Sequence, residues 1–137
     1  MKAFVRAHVL AYKMTGGRIG GAWGQAPIGL LTTTGRRSGK RRTTPVLYLG
    51  HEGSFVVVAT NDGAARHPGW YLNLRAHPLA ELETGSERIS ASARVASEEE
   101  RETLWPRLVA VYPNYERDQR RTEREFPVVI LERRRKE

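Results

Sequence analysis

The residues with the most chemistry to offer lie between Leu30 and Tyr48, in the stretch LLTTTGRRSGKRRTTPVLY. Arg36, Arg37, Lys40, Arg41 and Arg42 surround Ser38, Gly39, Thr43 and Thr44, and no Asp or Glu interrupts the run. Guanidinium groups make bidentate, charge-assisted contacts to phosphate and carboxylate, and glycine lets the backbone approach a ligand closely. Backbone N–H groups, hydroxyls and cations could therefore converge on one multiply charged anion. On the residues alone three readings stand: a solvated basic hairpin, a phosphate-type site, or a nucleic-acid contact. The stretch is not a P-loop, because G-x-x-x-x-G-K-[ST] is absent. Nucleic acid is the weaker reading, since no aromatic residue interleaves the charges between Leu30 and Leu47.

A second group is Tyr112-Pro113-Asn114-Tyr115. A phenol joins an apolar ring to a hydroxyl donor, so two of them beside a pocket could stack on a flat ligand and donate to a carbonyl or nitro oxygen. Tyrosines at the edge of a core are the plainer alternative. Other chemistries lack their residues. His8, His51, His67 and His77 are scattered and there is no cysteine, so no metal site is expected. No G-x-S-x-G elbow exists. Arg66-His67-Pro68 reads as a local cap at a helix start, ahead of a catalytic histidine. The acids cluster at 97–102 and 116–125, without a pair placed for acid–base work.

These groups need a scaffold, and 137 residues suit one domain with a real core. The net charge of +8 favours anionic partners. Nineteen of the 23 basic residues are arginine, a bias that GC-rich coding would also produce. No window of about 18 apolar residues exists to span a membrane, and the N-terminus is too broken by charge for a secretory signal. A cytoplasmic location is the expectation. Residues 2–14 carry Phe4, Val5, Val9, Leu10 and Tyr12 among Lys2, Arg6, His8 and Lys13, the pattern of a short basic amphipathic helix. It would pack on the body or touch a membrane surface. Residues 15–27, with five glycines and Pro27, read as a connector, which divides the chain into 1–27 and a domain at 28–137.

Within that domain the pattern predicts strands at Ile28–Thr34, Arg42–Leu49, Ser54–Thr60, Leu79–Thr84, Arg88–Val95 and Phe126–Leu131. Pro45 marks the second as an edge or a bulge. The third, centred on FVVVA, reads as buried on both faces. Trp70–Ala76 is a short helix. Ser97-Glu98-Glu99-Glu100 is a capping box opening a helix with Leu104, Trp105, Leu108, Val109 and Tyr112 on one side, which Pro106 should kink or split. Tyr112–Arg121 is irregular or briefly helical. About six mostly antiparallel strands, with short helices covering the openings, make an α+β fold, a split β-barrel.

Three stretches in order, LLTTTGRRSGKRRTTPVLYL, VVVATNDGAARHPGWYLNLRAHP and LWPRLVAVYPNYE, resemble the deazaflavin-dependent nitroreductase family, whose members are split-barrel proteins that use coenzyme F420 in place of FMN. The likeness covers about residues 28–132. It implies that Arg36, Arg37, Ser38 and Arg42 hold the phosphate and glutamate-bearing tail of F420, with Thr43, Thr44 and Pro45 along its next part. It puts Val58, Ala59, Thr60 and Asn61 beside the deazaflavin ring, and Gly69, Trp70, Tyr71, Leu72 and Asn73 on the helix over the cofactor. Tyr115 would close the pocket, with Tyr112 on the acceptor side.

The activity implied is hydride transfer from reduced F420 to a quinone-like or nitro-aromatic acceptor, with Tyr112, Tyr115 and Thr60 as the groups that steady negative charge or relay a proton. The alternative is the same barrel binding F420 or FMN without useful turnover. FMN lacks the glutamate tail and fits the basic turn less well. Family members active on nitroimidazoles have a third tyrosine where Asp118 stands and tend to have serine at Thr60, so strong nitroimidazole reduction is not expected here, and a quinone or another enone-like acceptor remains. Split barrels often pair through their sheets, so a homodimer is an assembly to expect, and no nucleic acid is expected as partner. Membrane quinones would suit contact through residues 2–14.

Overall fold

Runs of β-branched residues alternating with polar ones build a sheet that curls on itself. The computed structural model describes residues 22–23, 26–85 and 87–134. The amphipathic segment expected at 2–14 lies outside them. The strands are β1 (Ala22–Trp23), β2 (Ala26–Thr34), β3 (Arg41–Leu47), β4 (Leu49–His51), β5 (Ser54–Val58), β6 (Leu79–Thr84), β7 (Glu87–Val95) and β8 (Val128–Arg133). The helices are α1 (Gly69–Ala76), α2 (Glu98–Val111) and α3 (Asn114–Arg120). Neighbours run β1-β2-β6-β7-β8-β5-β4, with β3 also on β2, and every pairing is antiparallel. This is an α+β split barrel, as the strand pattern predicts.

The two additional strands have local causes. β1 folds onto the start of β2, pairing Trp23 with Ala26, so β2 begins ahead of the boundary drawn at residue 28. The strand expected at 42–49 breaks at Tyr48. Before the break β3 pairs with β2, and after it β4 pairs with β5. The Tyr48 N–H donates to Pro27 O at 3.1 Å and its ring meets Phe55 edge-on at 5.9 Å, which fixes this barrel corner. Pro45 is tolerated because β3 has β2 as its one strand partner among the described residues, and an outer edge needs no N–H. The β4–β5 turn has Glu52 at φ 51° and Gly53 at φ 82°, the two positive values of a tight primed hairpin turn.

Two apolar clusters flank β5 and β8. Val57, Val129 and Leu131 point into the barrel, where Leu31, Leu82, Ala91 and α1's Tyr71 and Leu74 meet them. Val56, Val58, Val128 and Ile130 point outward beneath Leu104, Leu108, Tyr115 and Phe126. The third expected strand is thus buried on both faces because helices α2 and α3 cover its outer side. α2 starts with a complete capping box: Ser97 Oγ accepts the Glu100 N–H at 3.2 Å, and Glu100 Oε1 accepts the Ser97 N–H at 2.9 Å. Pro106 does not split this helix. It and Glu102, whose carbonyl loses the i+4 partner, are exposed, so water can satisfy that oxygen.

Candidate functional site

One cleft of about 840 Å³ gathers the residues of three distant segments. The first wall is the β2–β3 hairpin. Strand alternation sends Arg42 and Thr44 to the cleft and Arg41 and Thr43 to the other face. There Arg41 pairs with Glu81 at 3.2 Å, and Thr43 Oγ1 lies 2.8 Å from Thr32 Oγ1. The cleft therefore receives Arg36, Arg37 and Arg42, and among the described residues none of the three pairs with a carboxylate. The turn holds its shape through backbone bonds. Gly35 N–H donates to Lys40 O at 2.7 Å, Gly39 N–H to Gly35 O at 2.8 Å, and Lys40 N–H to Ser38 Oγ at 3.1 Å. A Cβ on Gly35 would stand 2.7 Å from Ser38 Oγ and 3.1 Å from Lys40 O, so the turn closes only around glycine.

The second wall is the end of β5 and the start of α1. Val58, Thr60 and Asn61 line it, then Pro68, Gly69, Trp70 and Asn73. Asn73 joins the walls. It is buried, its Oδ1 accepts both the Arg36 backbone N–H (3.1 Å) and the Arg36 Nη1 (3.0 Å), and its Nδ2 donates to Thr33 Oγ1 at 3.1 Å. Three residues of this group lie apart from the cleft lining. Ala59 is fully buried in the core, Tyr71 is buried with its ring 4.7 Å from that of His67, and Leu72 packs against the barrel cluster.

The third wall comes from the end of α2 and from α3. Tyr112 and Tyr115 meet edge-on, centroids 5.0 Å apart, and Asn114 Nδ2 donates to Tyr112 Oη at 3.2 Å. Tyr115 is 5% exposed, so it is largely a core residue with one edge on the cleft. Burial first, and Tyr112 second, push its phenol above the ordinary range, so it stays protonated past the pH at which a free tyrosine ionises. Asp118 also lines the cleft and is the one acidic residue among the lining residues.

Arg124 is the residue that sequence reasoning missed. Its guanidinium stacks 4.8 Å over the Phe126 ring and binds the carbonyls of Ala59, Thr60 and Ala64. No sequence signal marks it, because its acceptors are main-chain oxygens some 60 positions away. No group of three or more His, Cys, Asp or Glu among the described residues could hold a metal ion.

The profile of the F420H(2)-dependent quinone reductase family matches residues 4–133. Two proteins of Mycobacterium tuberculosis H37Rv carry that activity in their names. One is 42% identical over 105 residues, spanning 77% of this chain and 88% of the relative. The other is 37% identical over 137 residues, spanning 95% and 90%. Among solved structures, an F420-H2 dependent reductase (FDR-A) is 39% identical with a TM-score of 0.72, covering 77% of this chain and 94% of its own. A protein described as a domain-swapped dimer is 35% identical with a TM-score of 0.75, covering 93% of each chain.

Proposed function

The chain belongs to the F420H(2)-dependent quinone reductase family, and we propose how its own residues serve an F420-dependent reduction of quinones. The observation that carries the reading is the charge of the first wall: Arg36, Arg37 and Arg42 face a cleft without a carboxylate partner among the described residues. Such a cluster suits a ligand with several negative charges, where each charge-assisted bond contributes about 1.5–3 kcal/mol. The cleft is also large enough for a cofactor, and its lining beyond the arginines includes Pro45, Val58 and Trp70, an apolar surface suited to a flat ring. The residues present therefore fit F420. Arg36, Arg37, Ser38 and Arg42 would hold its anionic end, and Thr44, Pro45, Val58 and Trp70 would hold its ring system.

When bound and reduced, the cofactor supplies the hydride. The chain orients the acceptor, keeps it dry and meets the negative charge that grows on its oxygen. Tyr112 and Thr60, from two walls of the cleft, would supply the hydroxyls that meet this charge. Tyr115 acts mainly by fixing the Tyr112 ring. Asp118 puts negative charge on this part of the lining, which favours a neutral quinone over an anionic acceptor.

Fluorescence titration with F420 and, in parallel, FMN tests the cofactor. Tight F420 binding with weak FMN binding is expected, and the reverse preference would overturn the reading. Reduction of menadione by F420H2 then separates a reductase from a protein that only binds the cofactor. The solved relative described as a domain-swapped dimer makes a homodimer the assembly to expect, measurable by light scattering. Among the described residues no helix is long and apolar enough to cross a membrane.

A further inference from the structure

We propose that Arg124 is a positioning residue for the cofactor cleft, and that its clamp on the loop between β5 and α1 is complete only while His67 is neutral. The proposal rests on the F420 reading of the cleft. A guanidinium has five N–H donors and no acceptor, and Arg124 uses all five. Nε donates to Ala64 O at 3.2 Å. Nη1 donates to Ala59 O and His67 Nδ1, each at 3.0 Å. Nη2 donates to Thr60 O at 2.7 Å and Ala64 O at 3.1 Å. The loop so gathered carries Thr60 and Asn61 at one end and runs into Pro68, Gly69 and Trp70 at the other, all five of them on the cleft. One side chain from a distant segment thus sets the spacing of the second wall.

Because the guanidinium cannot accept, the His67 Nδ1 facing it must offer a lone pair, with the ring proton on Nε2. Protonation would place an N–H against an N–H and two cations 3.0 Å apart. The other groups facing His67 are Arg75, on α1, and the Tyr71 ring at 4.7 Å, and His67 makes no ion pair among the described residues. Burial, then Arg124 and Arg75, hold its pKa below the ordinary value near 6.5. The sign follows: the clamp is complete above about 6.5 and loses its His67 bond as pH falls through the lower folded-state value.

The test uses the full chain, with His67→Gln, Arg124→Lys and Arg124→Ala. Glutamine accepts from Arg124 without titrating, and lysine keeps the charge but cannot reach all of the acceptors. F420 affinity of the unaltered protein should fall about tenfold more than that of His67→Gln as pH drops from 8 to 5, about what one lost charge-assisted bond is worth. Arg124→Lys should bind F420 weakly at every pH. Amide exchange of the cofactor-free protein supplies a reading independent of F420. Protection at Gly63 and Ala64, whose N–H groups bond Thr60 O and Asn61 O, should drop at low pH in the unaltered protein and at all pH values in Arg124→Lys, and persist in His67→Gln. Superimposed pH profiles for the unaltered protein and His67→Gln, or exchange unchanged in Arg124→Lys, would overturn the proposal even if Arg124→Ala fails to fold. Absence of F420 binding at any pH would instead sink the cofactor reading, leaving the exchange to judge the clamp.

Discussion

The two sides of the cleft are built on opposite terms. The hairpin wall is local: β2 and β3 are adjacent in sequence, their turn closes with short-range backbone bonds, and its arginines are exposed. The other side is assembled from residues 58–61, 68–73 and 112–118, which meet only in the fold and sit on buried residues of both apolar clusters, such as Leu74 and Phe126. Charge density is therefore cheap to place on the first, because the cations stay in water until a ligand arrives. Shape is secured on the second, where a misplaced side chain disturbs packing. Affinity for an anion and folding stability should accordingly separate between them.

The largest effect expected is on the hairpin. Replacing Arg37 and Arg42 together with alanine should weaken F420 binding by a hundredfold or more, at about 1.5–3 kcal/mol for each lost contact, while the thermal midpoint shifts little. A large drop in the midpoint would break the comparison, since it would make the exposed wall structural. Asn73→Ala cuts the seam between the walls and leaves the Arg36 N–H and Thr33 without their partner. It should lower stability by about 1–3 kcal/mol in a denaturant titration and weaken F420 binding as well. Tyr112→Phe removes a hydroxyl on the shaped side. It should lower kcat for menadione roughly tenfold, near 1.4 kcal/mol of barrier, with F420 affinity intact.

The smallest effect concerns the anchoring of α2. Arg94 on β7 bonds Glu100 at 2.7 and 2.8 Å and Glu132 at 3.1 Å. The Arg94 guanidinium first, then the Ser97 amide, hold the Glu100 carboxyl at about 2. The folded pKa is depressed, so the contribution is present above the ordinary carboxylate value and fades as pH falls toward about 2. Glu100→Gln should lower the midpoint slightly at pH 7, and the gap should close in acid. A gap independent of pH would assign the effect to the cap alone.

Arg41 and Arg42 mark how far the sequence could be read. Both belong to one acid-free basic run, and part of that run lines the cleft. Which of the two faces the cleft depends on the register of β3, since one step along a strand reverses the face. Thr43 and Thr44 divide in the same way. The break at Tyr48 was not legible, because the residues on both sides suit a strand and only the change of partner from β2 to β5 ends one and begins the other.

What the sequence determined by itself was everything carried by short-range chemistry: the antiparallel hairpins, the capping box at Ser97 and Glu100, the apolar face of α2, the doubly buried β5 and the cationic turn. Each needs only neighbours a few positions apart, or a composition that fits one environment. The tertiary structure decided the rest of the site. Asn73 as the seam, Tyr115 as chiefly a core residue, and Arg124 with its five bonds to a loop some 60 residues distant all depend on where separate segments come to lie. Backbone carbonyls are the acceptors in most of Arg124's bonds, every residue has one, and only the folded chain decides which of them converge on a guanidinium.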